Sequence, residues 1–163
     1  NWPCLPHALA ALAETDAQRP PPRGFNATAL RAAVAEVEEI LEAEAAAGGR
    51  VCVGGDMNVA VEDEDFYNPE AKHTATQAGT TPEERASARR LSAPPLSMRD
   101  AFRLLHPAAK GQYTYWSQRA RNRPVNRGLR LDYFWLSASV PRAAVLEVQH
   151  LQRLHGSDHA PVL

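Results

Sequence analysis

Residues Ala29 to Gly54 read ALRAAVAEVEEILEAEAAAGGRVCVG, and this stretch decides the fold class. Leu30, Val34, Val37 and Leu41 recur at i, i+4, i+7 and i+11, which is one face of a helix. Thr28 is the expected N-cap and Gly48-Gly49 the expected stop. Arg31, Glu38, Glu39 and Glu42 fall on the other face and read as solvated. Arg50-Val51-Cys52-Val53-Gly54 follows as a short buried strand. Helix, stop, strand is the rhythm of an α/β sheet.

Working outward, residues 1–28 form a loop- or linker-like start, because the run Arg19-Pro20-Pro21-Pro22-Arg23-Gly24 removes donors and fixes φ. Residues 56–82 hold six acids and no periodicity, so they read as a long loop of the kind that often carries function. Thr81-Pro82-Glu83-Glu84-Arg85 opens a helix running to about Leu91: cap, proline at the first position, acids in the first turn. A short helix is predicted over Met98–Leu105, capped by Ser97. Strands are predicted over Gln112–Gln118, Leu129–Leu136 and Ala144–Leu151, with antiparallel neighbours.

The 163 residues suit one domain. A net charge of −1 gives no whole-chain basic field toward nucleic acid or anionic membrane. Cys4 and Cys52 cannot build a disulfide framework, so a reducing, intracellular compartment is expected. Neither a membrane-spanning run nor a secretory leader is visible in the sequence. The chain opens on Asn1 and stops at Val162-Leu163 inside an apolar stretch, so we expect a piece of a longer protein.

Four stretches carry chemistry. Gly54-Gly55-Asp56-Met57-Asn58 puts a carboxylate and an amide at the C-terminal end of a buried strand, where open α/β sheets place ligands; a plain turn reads equally well. Asp132 interrupts the apolar strand Leu131–Phe134 and needs a partner, either a functional group or an arginine such as Arg130. Asp158 and His159 stand together before a strand, as an ion or phosphate site or as a surface turn. His155 and His159 have the spacing of a helical zinc pair, but Gly156 argues against a helix there. Tyr115-Trp116 precede Arg119, Arg121, Arg123, Arg127 and Arg130, a set able to clamp phosphates and stack on bases, or simply solvated charge beside core aromatics.

Taken together and in order, these stretches resemble the exonuclease III type of abasic-site (AP) endonuclease, within the endonuclease/exonuclease/phosphatase superfamily. The resemblance is carried by Gly55-Asp56-Met57-Asn58-Val59-Ala60, Asp65-Phe66-Tyr67-Asn68-Pro69, Thr81-Pro82-Glu83-Glu84-Arg85, Asp100-Ala101-Phe102-Arg103, Tyr113-Thr114-Tyr115-Trp116, Arg130-Leu131-Asp132-Tyr133-Phe134 and Gly156-Ser157-Asp158-His159. It implies an α/β fold: a four-layer sandwich of two mainly antiparallel sheets with helices outside. Residues 1–163 would be the C-terminal portion of that single domain, with little cleavage expected from this portion alone, because the family's first half supplies a metal-binding Glu.

The resemblance also implies roles. Asp56 would orient or deprotonate the attacking water, Asn58 would hold that water and a phosphate oxygen, and His159 would hydrogen-bond the phosphoryl oxygen. Asp132 would orient His159 and keep it protonated, and Asp158 would place magnesium, with manganese as the alternative ion. DNA contacts would come from Asn68, Tyr115, Trp116, Arg119, Arg121, Leu129 and Leu131, with Leu129 standing where the family usually carries Trp. The implied partner is double-stranded DNA with abasic sites, met by a monomer in the nucleus or a DNA-containing organelle. The activity would be magnesium-dependent hydrolysis 5′ to the abasic site, with 3′ exonuclease or phosphodiesterase activity beside it. The competing readings are a phosphodiesterase for a non-DNA ester and a catalytically inert DNA-binding fragment.

Overall fold

A computed structural model describes residues 27–163, with side chains from residue 36 onward; Cys4 and the proline run lie outside the described residues. The first helix, α1, spans Ala27–Ala46. It starts before Thr28, which therefore sits inside the first turn and not at the cap. The stop falls where expected: Gly48 takes φ +70° and Gly49 N donates to Glu44 O at 2.7 Å. Leu41 is buried in the core, whereas Val37 on the same stripe is 39% exposed.

Strand β1, Cys52–Asp56, runs two residues past its expected end and so includes Asp56. It pairs antiparallel with β3, Asp132–Leu136, which also pairs antiparallel with the two-residue β2, Arg99–Asp100, so β3 is central. Gly54 permits the close β1–β3 approach, and Gly55 is required by its own backbone conformation. A Cβ on Gly54 would lie 2.6 Å from Phe134 Cε1, and Gly55 takes φ +146°. Side chains of β3 alternate as a strand requires. Tyr133 and Trp135 enter a core with Leu41, Met57, Val59, Val61, Leu91 and Met98, while Leu136 enters another with Ala101, Phe102 and Val148.

Helix α2, Pro82–Arg89, has the expected Thr81 cap and a full capping box with Glu84. The next helix, α3, is only Ala101–Leu105, and its cap is Asp100, not Ser97. Asp100 Oδ1 accepts from the backbone N–H groups of Phe102 and Arg103, and the residues before it join the sheet. The strand expected over Gln112–Gln118 is reduced to isolated bridges of Tyr115 with Leu129 and with His159. Ala144–Leu151 likewise holds only the His150–Val162 bridge, with a 3-10 turn over Arg142–Ala144.

The 56–82 loop is ordered by burial and holds two 3-10 turns, Asp63–Asp65 and Lys72–Thr76. Val59, Ala60, Val61 and Phe66 are all buried, and Tyr133 Oη receives Val61 N and donates to Val59 O at 2.9 Å. Within it Asp65 is fully buried and meets Arg130 Nε and Nη2, both at 2.9 Å, together with Arg103. Arg130 reaches on to Asp100 at 2.6 Å. Burial alone would raise Asp65, but the guanidinium groups of Arg130 and Arg103 hold its carboxyl below the usual range. The structure is thus mixed α/β around an antiparallel sheet.

Candidate active site

The site lies where β1 ends and β3 begins. The register sets Asp56 directly opposite Asp132, and Met57 N donates to Leu131 O at 2.7 Å as the chains part. Thr114, fully buried, accepts at Oγ1 from the N–H groups of Leu131 and Asp132 at 2.9 and 3.1 Å, which fixes the start of β3. His159 arrives from the last segment. Tyr115 bridges it, Trp116 N donates to Asp158 O at 3.0 Å, and Ala160 N donates to Thr114 O at 2.6 Å.

His159 Nδ1 lies 2.8 Å from Asp132 Oδ2, and its Nε2 faces Asp56 Oδ2 at 4.0 Å. One ligand atom from each of Asp56, Asp132 and His159 falls within 4.8 Å of the others. All three are partly open to solvent, with side chains 36%, 19% and 29% exposed. The partner of Asp132 is therefore His159 and not Arg130, which is spent on Asp65 and Asp100. Asn58 takes a left-handed φ of 51°, and its N–H donates to Asp56 Oδ1 at 2.8 Å, the turn that carries the chain off β1.

The electrostatics follow from this geometry. The hydrogen bond from His159 to Asp132, helped by the charges of Asp132, Asp56 and Asp158, raises the imidazole above its ordinary value. Partial burial pushes the Asp56 carboxyl up, and the charge of Asp132 adds to that. Hydrogen bonds from Asn58 pull the other way. Two carboxylates thus flank an imidazole whose affinity for a proton is raised, at a solvent-open corner. That arrangement holds a proton, aligns an imidazolium and leaves oxygens for a cation or a water.

The remaining expected residues divide. Tyr115 packs on His159 with ring centroids 5.1 Å apart. Leu131 is buried with Ala60 and Phe66, and Tyr115 and Leu129 pack against them. Asn68 is exposed with φ 56°, and Arg119 and Arg121 are exposed. Asp158 accepts from Ser157 Oγ at 3.4 Å and stands outside the group of three ligand atoms. Trp116 departs from expectation. It is 2% exposed, donates from Nε1 to Asn126 Oδ1 at 3.1 Å and packs with Tyr113 and Ala160, so its ring is covered by the protein. Of the five arginines, Arg130 is buried, Arg123 turns inward and Arg127 lies over the Tyr67 ring at 5.2 Å. Sequence reasoning missed Thr114 as the clamp on β3; its only signal was its place in the Tyr113–Trp116 motif.

The chain belongs to the Endonuclease/Exonuclease/phosphatase family, which matches residues 2–159. Among its relatives, an exodeoxyribonuclease of Bacillus subtilis is 38% identical over 113 residues, covering 69% of this chain and 42% of that protein. The crystal structure of an AP endonuclease from Leishmania major superposes with a TM-score of 0.61 at 39% identity, over 68% of this chain and 33% of that one. A 3′ phosphatase from Neisseria, solved bound to a product DNA hairpin, gives a TM-score of 0.67 at 30% identity, over 78% of this chain and 49% of that one. The chain spans less than half the length of each of these three proteins.

Proposed function

We propose that the chain is the C-terminal portion of a DNA-repair endonuclease that hydrolyses the phosphodiester 5′ to an abasic site, with 3′ exonuclease or phosphodiesterase activity beside it. The observation that carries this reading is the imidazole of His159 held between Asp132 at 2.8 Å and Asp56 at 4.0 Å. The AP endonuclease and DNA-bound 3′ phosphatase among its structural relatives support DNA as the substrate. The domain in this reading is the four-layer sandwich, of which residues 1–163 supply the later part. The protein works as a monomer inside the cell, in the nucleus or a DNA-containing organelle.

In the mechanism, Asp132 holds the tautomer and charge of His159 through Nδ1, and Nε2–H is left to donate to a phosphoryl oxygen. Charge builds on that oxygen as water attacks, so the donor is worth more in the transition state than before it. Asp56, with its raised affinity for a proton, orients that water and takes a proton from it. Asn58, at the turn beside it, holds the water and a second phosphate oxygen. The donor set fits a divalent ion, because carboxylate oxygens of Asp56 and Asp132 and a ring nitrogen of His159 lie within 4.8 Å of one another, with the charge of Asp158 felt by the same imidazole. Magnesium, with manganese as a substitute, would be held there with Asp158 helping to place it, and would supply neutralisation of phosphate charge. Tyr115, Leu129 and Leu131 line the abasic pocket, while Asn68, Arg119 and Arg121 meet the backbone; Trp116 supports this wall from behind.

The test is incubation of the full-length protein with magnesium and, in parallel, an abasic-site duplex, an intact duplex and a phosphoinositide. Nicking 5′ to the abasic site, abolished by chelation, is expected. Hydrolysis of the phosphoinositide with the abasic duplex untouched would overturn the reading.

A further inference from the structure

Arg123 looks like one of five surface cations in the sequence, but its guanidinium is committed within the protein. Nη1 donates to Ser157 O at 2.7 Å, and Nη2 donates to Gln152 O at 3.0 Å and Leu154 O at 2.5 Å. Its Cζ lies 4.6 Å above the Trp116 ring. The three accepting carbonyls belong to the turn that delivers Asp158 and His159. The start of that turn is anchored as well by the Gln152 side chain, whose Nε2 donates to Gly111 O and Tyr113 O at 3.1 and 2.8 Å. Residues 153–157 are exposed, and Gly156 takes φ +132°. The same Trp116 that supports the guanidinium donates its backbone N–H to Asp158 O. A rigid planar fork suits three carbonyls at one spot better than a flexible ammonium.

We infer that Arg123 is a positioning residue: it clasps the 152–157 turn against Trp116 and thereby sets His159 between Asp56 and Asp132. This rests on the role of His159 proposed above. With Nη1 and Nη2 donating to carbonyls and Nε buried, Arg123 does not act as a phosphate clamp.

The experiment compares Arg123→Lys and Arg123→Gln with wild type and with Arg119→Gln, in the full-length protein, by steady-state cleavage of an abasic duplex and by NMR. Arg123→Lys loses about 10-fold in kcat and Arg123→Gln about 100-fold, with KM near wild type, because a small misplacement of a catalytic group is costly. Arg119→Gln loses instead in KM. The ring-to-ring cross-peak between Tyr115 and His159 weakens in both Arg123 variants and persists in Arg119→Gln. A Lys variant with wild-type kcat and an undisturbed cross-peak overturns the inference, as does a loss confined to KM. The Lys variant keeps stem and charge, so it stands as the deciding protein if the Gln variant does not fold. Should the wild type cleave no DNA, the cross-peak alone decides the claim about Arg123, and only the nuclease reading falls.

Discussion

Two clusters of charge sit at opposite sides of β3 and are built on contrary principles. Around Asp65 the acids and arginines are largely buried and paired with one another: Arg130 is 1% exposed and bonded to both Asp65 and Asp100. Around His159 they are half open, and Asp56 approaches the imidazole only to 4.0 Å. The first cluster spends its charge on the fold. The second keeps charge unspent, which is what a site needs if an incoming group is to be stabilised there.

Removing the working cluster should have the largest effect. His159→Ala or Asp56→Asn is expected to lower turnover by about 10²–10⁴-fold while binding of abasic DNA survives, read by single-turnover cleavage and by a gel-shift titration. Unchanged turnover in either would erase the distinction between the clusters. Next, Asp65→Ala leaves Arg130 with one partner and is expected to cost about 3–5 kcal/mol in urea unfolding, with turnover per folded molecule near wild type. Loss of turnover without loss of stability would move Asp65 into the working cluster.

The two histidines sharpen the contrast by pH. His150 is buried against Phe102, with ring centroids 4.3 Å apart, and burial, with the charge of Arg130 adding, brings its pKa down to about 4. Its folded state refuses a proton that the unfolded state accepts, so stability is full above pH about 6.5 and falls as pH drops toward 4, by about 3 kcal/mol. His159 is shifted the other way. Its contribution is present below the unfolded pKa and disappears as pH rises through the folded one. Urea midpoints from pH 4 to 9 for wild type, His150→Gln and His159→Gln should separate the two slopes; parallel curves for both variants would contradict the assignment. Smallest, Thr81→Ala, whose side chain bonds Glu84 and neither cluster, should cost about 1 kcal/mol of stability through its cap and leave the pH slopes unchanged.

What was legible in the sequence was local or carried by motif. Thr81-Pro82-Glu83-Glu84 announces a helix start by itself, and Gly54-Gly55-Asp56 after an apolar run announces a strand end that carries a carboxylate. The pairing of Asp56 with Asp132 was not legible from spacing, because register is set by the two strands meeting and not by either one. Asp65 is one of six acids in the 56–82 stretch, which reads only as a loop, and the fold brings buried Arg130 to it. The Met98–Leu105 helix was placed too early because Ser97 and Asp100 are both competent caps, and pairing with β3 decides for Asp100. Tyr113–Gln118 alternates like a strand, but its neighbours are single bridges at Leu129 and His159, so the pattern marks a wall of the site. Trp116, beside the arginine run, reads in the sequence as a surface for bases or as a core aromatic, and packing decides for the core.

The central claim is that Asp56 and His159 act on one reacting phosphoryl group. A double-mutant cycle on the abasic duplex tests it, with Asp56→Asn, His159→Ala and the double variant. Groups that act as one unit lose most of their effect on the first removal, so the double variant should cleave about as slowly as the slower single one. Losses that simply multiply would contradict the account.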